Sequence, residues 1–355
     1  MIAVRLPQII FEGTTKCNLD CRYCYNVWKR PGASLPKPVG FPGSLRTLKT
    51  LFRQARVSHV TFSGGEPFLS ERFLELVLAC RMRRKTVTVV TNGCCASEAD
   101  YRSLMDIGVG LFEIPFLSRL PEIHDQLTRK DGSWKKALKS MEILKDLKAS
   151  VVAVVVLTTV NFHDLGETLE FLKELGITQV MLNRFNVGGS GIREWKHLSL
   201  SPCYLKRAFV VAESKAVALQ LSISANVCIP YCILEPHEFP HLMMFSCSSR
   251  IEERPITLDA AGNIRLCNHS PVVLGNIHKV HLREILQNPY LSHFALTVPK
   301  TCIGCRRFSK CQGGCKAAGE QLWGNLEEGD PILYLPGEPR FRSSKASSFA
   351  GFKGQ

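Results

Sequence analysis

Three cysteines near the beginning of the chain, Cys17, Cys21 and Cys24, could together bind one metal centre. Three and then two residues separate them, a spacing that differs from the two-two-three run of bacterial ferredoxins. Three thiolates in one short loop can hold three irons of a [4Fe–4S] cube and leave the fourth iron open. A catalytic cluster needs such an open position, whereas an electron carrier does not. Zinc normally takes four ligands, and this loop contains neither a histidine nor a fourth cysteine.

A second motif, Gly64-Gly65-Glu66-Pro67, follows the second predicted strand, as the cysteines follow the first. Glycine lets the backbone approach a ligand closely, and Glu66 can order the loop around it. Two such motifs on consecutive strands resemble those of the radical S-adenosylmethionine (SAM) superfamily. The resemblance implies that the three cysteines hold a catalytic [4Fe–4S] cluster and that the Gly-Gly-Glu segment receives the methionine amino group of SAM. The amino and carboxylate groups of SAM would chelate the open iron.

Two further residues are similar to positions that contact SAM in this family. Ser118 follows the fourth predicted strand, and Arg129 lies shortly after it. The resemblance implies a contact of Ser118 with the ribose and of Arg129 with the carboxylate, which a guanidinium can bind through two hydrogen bonds. The segment departs from the family pattern, because Leu117-Ser118-Arg119 stands where relatives often carry Leu-Asp-Gly. Capping or surface roles are therefore the alternative, and Asn183 is a weaker candidate still.

A second group of cysteines occupies the C-terminal part of the chain. Fourteen residues separate Cys247 from Gly262, and four more separate Gly262 from Cys267; a run of four follows at Cys302, Cys305, Cys311 and Cys315. The pattern resembles the SPASM extension of the superfamily, which carries up to two auxiliary [4Fe–4S] clusters, although CxxC pairs are also common zinc ligands. The resemblance implies a first auxiliary set of Cys247, Cys267 and Cys315, and a second auxiliary set of Cys302, Cys305 and Cys311.

Each auxiliary set is one ligand short of four. Relatives end with a seventh cysteine shortly after an Asp-Pro pair, whereas Asp330-Pro331 is followed here by Ile332. Asp330, another residue or solvent would complete the second cluster, or that cluster does not assemble. Cys228 or Cys232 is a possible fourth ligand of the first cluster, whose open iron could otherwise bind substrate directly.

The residue after Cys267 bears on the reaction. Relatives that oxidise a sulfatase side chain carry an Asp at this position as a proton acceptor, whereas this chain has Asn268, which cannot act as a base. That specific activity is therefore disfavoured. His269 could accept a proton near neutral pH, although a single exposed histidine more often has no such role.

The composition excludes several classes of protein. Fifteen cysteines, an odd number, in 355 residues without an export signal argue against a disulfide framework and predict a cytoplasmic protein. No apolar run approaches the roughly 20 residues that cross a bilayer. The formal charge of +14 is dispersed along the chain, which favours an acidic substrate over nucleic acid. Most of the six cysteines outside the two motifs are expected to be buried small hydrophobes: Cys80, Cys94, Cys95, Cys203, Cys228 and Cys232.

The elements that must position these residues alternate between strands and helices. Strands are predicted at 8–12, 59–63, 86–91, 110–116, 151–158 and 179–184, and helices at 71–81, 97–106, 133–147, 164–175 and 202–219, with a long loop over 27–44. Such alternation implies a parallel sheet, and six units predict a partial (β/α)6 TIM-like barrel. We expect this α/β barrel at 1–190, a bridging region at 191–245, a small cysteine-rich iron–sulfur domain at 246–335 and a disordered tail at 336–355.

The resemblance also implies a reaction. A flavodoxin- or ferredoxin-type reductant would supply one electron, SAM would be cleaved to a 5′-deoxyadenosyl radical, and the radical would remove hydrogen from the substrate. A ribosomally made peptide is the favoured substrate, with a small metabolite or a cofactor precursor as the alternative. Only sixteen residues precede the first motif cysteine, so we expect a peptide to need a separate carrier protein or direct capture on the barrel. Two functions from other classes of protein remain as alternatives, an iron–sulfur electron carrier and a zinc-dependent binding protein.

Overall fold

The computed structural model describes residues 4–34, 38–248 and 250–335, and eleven strands in these ranges form one sheet. They are β1 (Val4–Thr14), β2 (Ala55–Gly64), β3 (Thr86–Val90), β4 (Leu111–Pro115), β5 (Ser150–Leu157), β6 (Gln179–Arg184), β7 (Ser222–Ala225), β8 (Leu242–Met244), β9 (Ile256–Asp259), β10 (Asn263–Arg265) and β11 (Val273–Asn276). Their order is β11-β10-β9-β1-β2-β3-β4-β5-β6-β7-β8. Every pair from β9 to β8 is parallel, and β10 is antiparallel to both of its neighbours.

Helices connect the parallel strands, which cannot be joined by tight hairpins. In the described ranges they are α1 (Phe41–Gln54), α2 (Phe73–Arg81), α3 (Glu98–Asp106), α4 (Pro121–Thr128), α5 (Ser133–Asp146), α6 (Leu165–Glu174), α7 (Trp195–Leu198), α8 (Pro202–Leu219), α9 (Leu282–Ile285), α10 (Pro289–Leu296), α11 (Phe308–Cys311) and α12 (Lys316–Trp323). The helices cover one face of the sheet. The ring of Tyr101 on α3, for example, lies 5.6 Å from the ring of Phe112 on β4.

The predicted α/β fold with a partial barrel is confirmed. All six predicted strands are present as β1–β6, and the five predicted helices are present as α2, α3, α5, α6 and α8. The pattern is clearest on β5, where every second residue from Val151 to Leu157 is 5% exposed or less and packs under the helices. The alternate residues face the concave side of the sheet, because successive side chains of a strand point to opposite faces.

The predicted loop over residues 27–44 is wrong in its last part. Helix α1 already begins at Phe41, with Pro42 in its first turn. Proline is tolerated there because the first N–H groups of a helix have no intrahelical partner. Its inner face buries Leu48 and Leu51 against the sheet. The glycines and prolines before the helix indicated a loop, and they concealed its start.

The sheet continues beyond the six predicted strands. Strands β7 and β8 lie in the predicted bridging region, and β9 to β11 lie in the predicted cysteine-rich domain. Strand β9 pairs in parallel with β1, with Ile9 opposite Ile256 and Glu12 opposite Asp259. These strands are only three or four residues long, too short for a periodic signal. The division at residues 190 and 245 stays a prediction, and the tail 336–355 lies outside the described residues.

Two buried ion pairs join the barrel strands to the C-terminal part of the chain. Glu12 on β1 pairs with Arg265 on β10, and both side chains are 5% exposed or less. Arg184 on β6 pairs with Asp330, and their exposures are 3% and 0%. Within the described ranges, no helix has the length and apolar character to cross a bilayer.

Candidate functional site

The loop that holds Cys17, Cys21 and Cys24 leaves the C-terminal end of β1. This edge of a parallel sheet is where ligands usually bind. The N–H of Cys24 donates to the carbonyl of Cys21 at 3.2 Å, which closes a turn. The N–H of Arg22 donates to the carbonyl of Leu127 at 2.9 Å and anchors the loop to α4. All three cysteine side chains are half-buried within this one turn.

The three thiols lie within electrostatic range of one another. Burial raises the pKa of Cys21 and of Cys24, and the neighbouring thiolates raise both values further. The half-buried ammonium group of Lys29 acts in the opposite direction on both. Thiols that resist ionisation next to one another fit a cationic metal centre, because such a centre replaces their protons and neutralises their charge. The donor set therefore fits an iron–sulfur cluster.

In the part of the chain that the structure describes, no three His, Cys, Asp or Glu side chains converge closely enough to hold one metal ion. The assignment of the three cysteines to a cluster stays a prediction.

The Gly-Gly-Glu segment packs directly on the cysteine loop. The N–H of Gly65 donates to the carbonyl of Thr14 at 2.8 Å, and the N–H of Glu66 donates to the carbonyl of Lys16 at 2.8 Å. A Cβ at Gly64 would lie 2.5 Å from the oxygen of Thr14, and one at Gly65 would lie 2.0 Å from the oxygen of Lys16. Only glycine permits so close an approach of two backbones. The two sequence motifs therefore form one unit.

Glu66 is the residue that orders this unit. Its side chain is fully buried and accepts hydrogen bonds from the hydroxyl of Thr91 at 2.7 Å and from the N–H groups of Asn92 at 2.8 Å and Phe68 at 3.3 Å. Burial raises the pKa of Glu66, and these hydrogen bonds lower it in part. Asn92 in turn donates to the side-chain oxygen of Asn18 in the cysteine loop at 2.7 Å. Glu66 thus connects the ends of β1, β2 and β3, and Pro67 begins a short 3-10 helix that follows it.

Ser118 has local partners in the protein. Its hydroxyl is fully buried, donates to Asp164 at 2.5 Å and accepts from the N–H of Leu120 at 2.9 Å. Its carbonyl accepts from the indole of Trp134 at 3.1 Å. These contacts hold the start of α4 against α5 and α6, which is the capping role weighed from the sequence. Its contact with a ribose stays a prediction.

Arg129 lies beside the cysteine loop. It ends α4 with a left-handed backbone, and its half-exposed guanidinium bonds Glu194 at 2.8 Å and Asp20 of the cysteine loop at 3.3 Å. Arg22 of that loop bonds the same Glu194 at 2.7 Å. The position of Arg129 therefore fits the predicted role next to the cofactor, which stays a prediction.

The first auxiliary set gathers around a residue that the sequence did not single out, Arg254. Although burial lowers the pKa of Arg254, four nearby thiolates raise it overall: Cys267, Cys247, Cys228 and Cys315. The guanidinium of Arg254 contacts the sulfur of Cys247 at 3.8 Å. A hydrogen bond from Cys228, with the charges of Arg254 and Lys316, lowers the pKa of Cys247 to about 6. Four thiols near one guanidinium match the number of ligands that a cluster takes, and their role as ligands stays a prediction.

The second auxiliary set lines a cavity of about 1510 Å³ between α8 and the C-terminal helices. Burial raises the pKa of Cys302, and the nearby charges of Cys311 and Cys305 raise it further. Lys316, which is fully buried and donates to the carbonyl of Phe294 at 2.8 Å, lies within electrostatic range of Cys302 and of Cys247. The buried ammonium group of Lys316 therefore lies near cysteines of both auxiliary sets.

The carboxylate of Asp330 has several protein partners. Its carboxylate pairs with Arg184 and accepts from the N–H groups of Cys315 at 2.7 Å and Ile332 at 3.1 Å. Burial raises the pKa of Asp330, and these donors lower it in part. The carboxylate is 0% exposed, so it holds the first auxiliary set and the C-terminal segment together.

His269 and Asn183 both have hydrogen-bond partners within the protein. His269 is buried rather than exposed, and its Nε2 lies 2.8 Å from the carbonyl of Val187, so this nitrogen is the donor. Burial lowers the pKa of His269 to about 4, which leaves it neutral at pH 7. The side-chain oxygen of Asn183 accepts from the N–H groups of Asn226 at 2.9 Å and Val227 at 3.1 Å. Both residues have structural roles.

The expectation that most cysteines outside the motifs are buried is wrong. Cys80 is buried in the core, but Cys94, Cys95 and Cys228 are half-buried, and Cys203 and Cys232 are exposed. Two of these six belong near the auxiliary sets, because Cys228 contacts Cys247 and Cys232 lines the cavity of the second set. The sequence signal for these two additional cysteines was their spacing, because Cys228 and Cys232 are four residues apart.

Sequence reasoning also missed Glu113. It lies on β4 between Phe112 and Ile114, which face the helices, so Glu113 faces the concave side of the sheet. Burial raises the pKa of Glu113 to about 7. The phenol of Tyr25, just after the cysteine loop, is within electrostatic range of Glu113, and its oxygen accepts a hydrogen bond from the side-chain amide of Asn268 at 2.9 Å. A lone Glu in a short strand has no recognisable sequence signal.

Comparison with known proteins agrees with this geometry. Residues 11–172 match the family model of the Radical SAM superfamily, and residues 247–315 match that of the iron–sulfur cluster-binding SPASM domain. The PqqA peptide cyclase of Granulibacter bethesdensis is 23% identical over 340 residues, which cover 92% of this chain and 87% of the relative. The pre-heme d1 synthase of Dinoroseobacter shibae is 25% identical over 361 residues, which cover 93% of this chain and 86% of the relative.

Solved structures share the fold. SuiB of Streptococcus suis bound to S-adenosylmethionine superimposes with a TM-score of 0.71 at 15% identity, covering 93% of this chain and 78% of SuiB. The protein anSMEcpe with bound AdoMet gives a TM-score of 0.71 at 18% identity, covering 93% of this chain and 91% of anSMEcpe.

Proposed function

Because the chain belongs to the radical SAM superfamily and carries a SPASM iron–sulfur domain, we propose that it reductively cleaves SAM and removes hydrogen from a ribosomally made peptide during maturation. The observation that supports this most strongly is the joined unit of the cysteine loop and the Gly-Gly-Glu segment at the C-terminal ends of β1 and β2. The peptide class is supported by the PqqA peptide cyclases, which are similar to this chain over 92% of its length.

The protein residues would act by binding and orientation. Cys17, Cys21 and Cys24 would hold a [4Fe–4S] cluster, which when bound supplies the electron that splits SAM into methionine and the hydrogen-abstracting 5′-deoxyadenosyl radical. Glu66 keeps the Gly-Gly-Glu backbone in place to receive the methionine amino group. Lys29 offsets the negative charge of the three thiolates. Loss of any of these contacts would misplace SAM relative to the cluster.

Glu113 is suited to accept or donate a proton in the substrate chamber. It lies on the concave side of the sheet, and a pKa of about 7 lets it change charge near neutral pH. Asn268 cannot take this role, and His269 is buried and neutral. A reaction that releases a proton from the oxidised substrate would therefore use Glu113 rather than the residue that follows Cys267.

The auxiliary sets would hold one or two further clusters that accept an electron or bind the substrate. Cys228, together with Cys247, Cys267 and Cys315, would give the first cluster four protein ligands, which favours electron transfer over substrate binding at that cluster. An external reductant of the flavodoxin or ferredoxin type and a separate peptide carrier are the proposed partners. A reducing, cytoplasmic location suits a chain with fifteen cysteines.

The first test is formation of 5′-deoxyadenosine. Anaerobically reconstituted protein, reduced with dithionite and supplied with SAM, is expected to produce it, as followed by liquid chromatography and mass spectrometry. Cys21→Ala should abolish the product, whereas Cys203→Ala, an exposed cysteine far from this loop in sequence, should retain it. An iron-loaded wild type that forms no 5′-deoxyadenosine would indicate an electron carrier, and a colourless zinc-loaded protein would indicate a binding protein.

The second test concerns the substrate. Short precursor peptides encoded next to the gene are incubated with the active enzyme, and their masses are compared before and after reaction. A changed peptide mass, in proportion to 5′-deoxyadenosine, is the expected result. The alternative substrate, a small cofactor precursor, is supported by the 25% identity to pre-heme d1 synthase. Vigorous 5′-deoxyadenosine formation with no altered peptide would direct the search to that class.

A further inference from the structure

The second auxiliary set lacks a fourth thiolate at the place where the sequence resemblance expects one. Ile332 and Leu333 follow the Asp-Pro pair, and neither can bind iron. Asp330 itself is ion-paired with Arg184 and fully buried. The three cysteines of this set therefore need a ligand from another part of the chain, or they leave one iron open.

A turn after β7 brings another cysteine to this set. The N–H groups of Ile233 and Leu234 both donate to the carbonyl of Pro230, at 2.8 and 3.2 Å. Cys232 lies within this turn, and its side chain is exposed. The same turn packs on the loop of the second set, because a Cβ at Gly314 would lie 2.7 Å from the ring of Pro230.

Polar contacts hold the turn against the second auxiliary set on both sides. The N–H of Tyr231 donates to the sulfur of Cys311 at 3.2 Å. The carbonyl of Tyr231 accepts from the guanidinium of Arg307 at 3.2 Å, and Arg307 also pairs with Glu235 at 2.5 Å. Tyr231, the residue immediately before Cys232, is therefore bonded to Cys311 and to the segment between Cys305 and Cys311.

All four thiols open into one space. Cys232, Cys302, Cys305 and Cys311 line the same cavity of about 1510 Å³, together with apolar side chains such as Phe308. A cavity of this size has room for an iron–sulfur cube. The N–H of Tyr231 already points at one of the sulfurs, and hydrogen bonds of this kind tune the potential of a cluster.

Other cysteines near the cavity are less suited. Cys203 also lines it, but from the first turn of α8, and no hydrogen bond among the described residues ties its neighbours to the second set. Cys228 is committed to Cys247 in the first set. Two cysteines outside the set line the cavity among the described residues, Cys203 and Cys232, and of these Cys232 is the one whose backbone neighbour is bonded to the set.

We propose that Cys232 is the fourth thiolate ligand of the second auxiliary cluster, in place of the cysteine that is missing after Asp330-Pro331. The proposal rests on the iron–sulfur function proposed above. Cys228 and Cys232 are four residues apart and would then each complete a different cluster. The short segment between them would tie β7 of the barrel to both clusters, and it would leave neither cluster open for substrate.

The test compares single variants of the full-length reconstituted protein. Iron and sulfide are counted per chain, and the clusters are characterised by Mössbauer and electron paramagnetic resonance spectroscopy. Cys232→Ala is expected to lose on the order of four irons per chain, or to yield a three-iron cluster on oxidation. Cys203→Ala, which removes an exposed thiol from the same cavity, is expected to match the wild type. Wild-type iron content and spectra in Cys232→Ala would overturn the proposal, as would loss of iron in Cys203→Ala alone.

A second variant guards against a folding defect. Cys232→Ser keeps the size of the side chain, and an oxygen ligand should preserve the cluster with a lowered reduction potential and a changed spectrum. An unchanged potential and spectrum in Cys232→Ser would also overturn the assignment. These readouts are independent of the reaction, because 5′-deoxyadenosine formation depends on the N-terminal cysteine loop. Failure to form this product in the wild type, with iron lost in Cys232→Ala, would refute the proposed function but not the ligand.

Discussion

The buried pair of Arg184 and Asp330 allows a quantitative test of how the C-terminal segment is attached to the barrel. Asp330→Ala leaves the guanidinium of Arg184, which is 3% exposed, without its counter-charge. It also removes the acceptor of the N–H groups of Cys315 and Ile332. Breaking one side of such a buried pair costs about 3–5 kcal/mol of unfolding free energy.

Two comparisons isolate this effect. Glu98→Ala breaks the ion pair with Arg102, in which both side chains are about 60% exposed, and should cost less than about 1 kcal/mol. Combining Asp330→Leu with Arg184→Met removes both charges, so it should be less destabilising than Asp330→Ala alone. Recovery should be partial, because Arg184 also donates to the carbonyl of Cys228 at 2.9 Å.

The assay is anaerobic urea denaturation of the reconstituted protein, followed by circular dichroism, with iron counted on the folded fraction. A structural role predicts a lower unfolding midpoint for Asp330→Ala and an unchanged iron content at low urea. The reasoning would be refuted by a cost no larger than that of Glu98→Ala. A stable variant that has lost iron would instead make Asp330 a cluster ligand.

Three further predictions concern the site. Gly65→Ala should destabilise the protein by about 1–3 kcal/mol in thermal unfolding and abolish 5′-deoxyadenosine formation, because its Cβ would lie 2.0 Å from the carbonyl oxygen of Lys16. Glu66→Gln should weaken SAM binding about tenfold in anaerobic equilibrium dialysis, since an amide offers one acceptor oxygen where the carboxylate uses two. Glu113→Gln should remove a pH-dependent loss of stability. Folding raises the pKa of Glu113 from 4.5 to about 7, so the neutral carboxyl is favoured in the folded protein. Its contribution to the free energy of unfolding, at most about 3 kcal/mol, is therefore fully present below pH 4.5 and is lost as the pH rises through 7.

Each of these has a matched control or a contrary outcome. Gly110→Ala has open space around its Cβ and should behave like the wild type. If Glu66→Gln binds SAM as tightly as the wild type, the carboxylate does not order the cofactor loop. If the urea midpoints of Glu113→Gln and the wild type show the same dependence on pH between 5 and 8, burial does not raise the pKa of Glu113.

The sequence by itself determined the local chemistry. Cys17, Cys21 and Cys24 lie within eight residues. A single turn of the chain therefore suffices to bring them together, whatever the position of that turn in the fold. The glycines at 64 and 65 likewise indicated a close backbone approach, and the structure identifies the partner as the cysteine loop. Strands β1 to β6 were recognisable because each has at least five residues, which is long enough for a β-rich run to stand out.

Only the tertiary structure decided which distant groups meet. Cys228, which follows β7, contacts Cys247 nineteen positions further along the chain, and no spacing rule foresees such a pair. Asp330 appeared free to bind iron until its burial against Arg184 was known, and His269 appeared free to take a proton until its ring proved to be enclosed. Local spacing sets which residues can share a loop, whereas burial and partners depend on how the whole sheet packs, because desolvation and opposing charges come from residues far away in sequence.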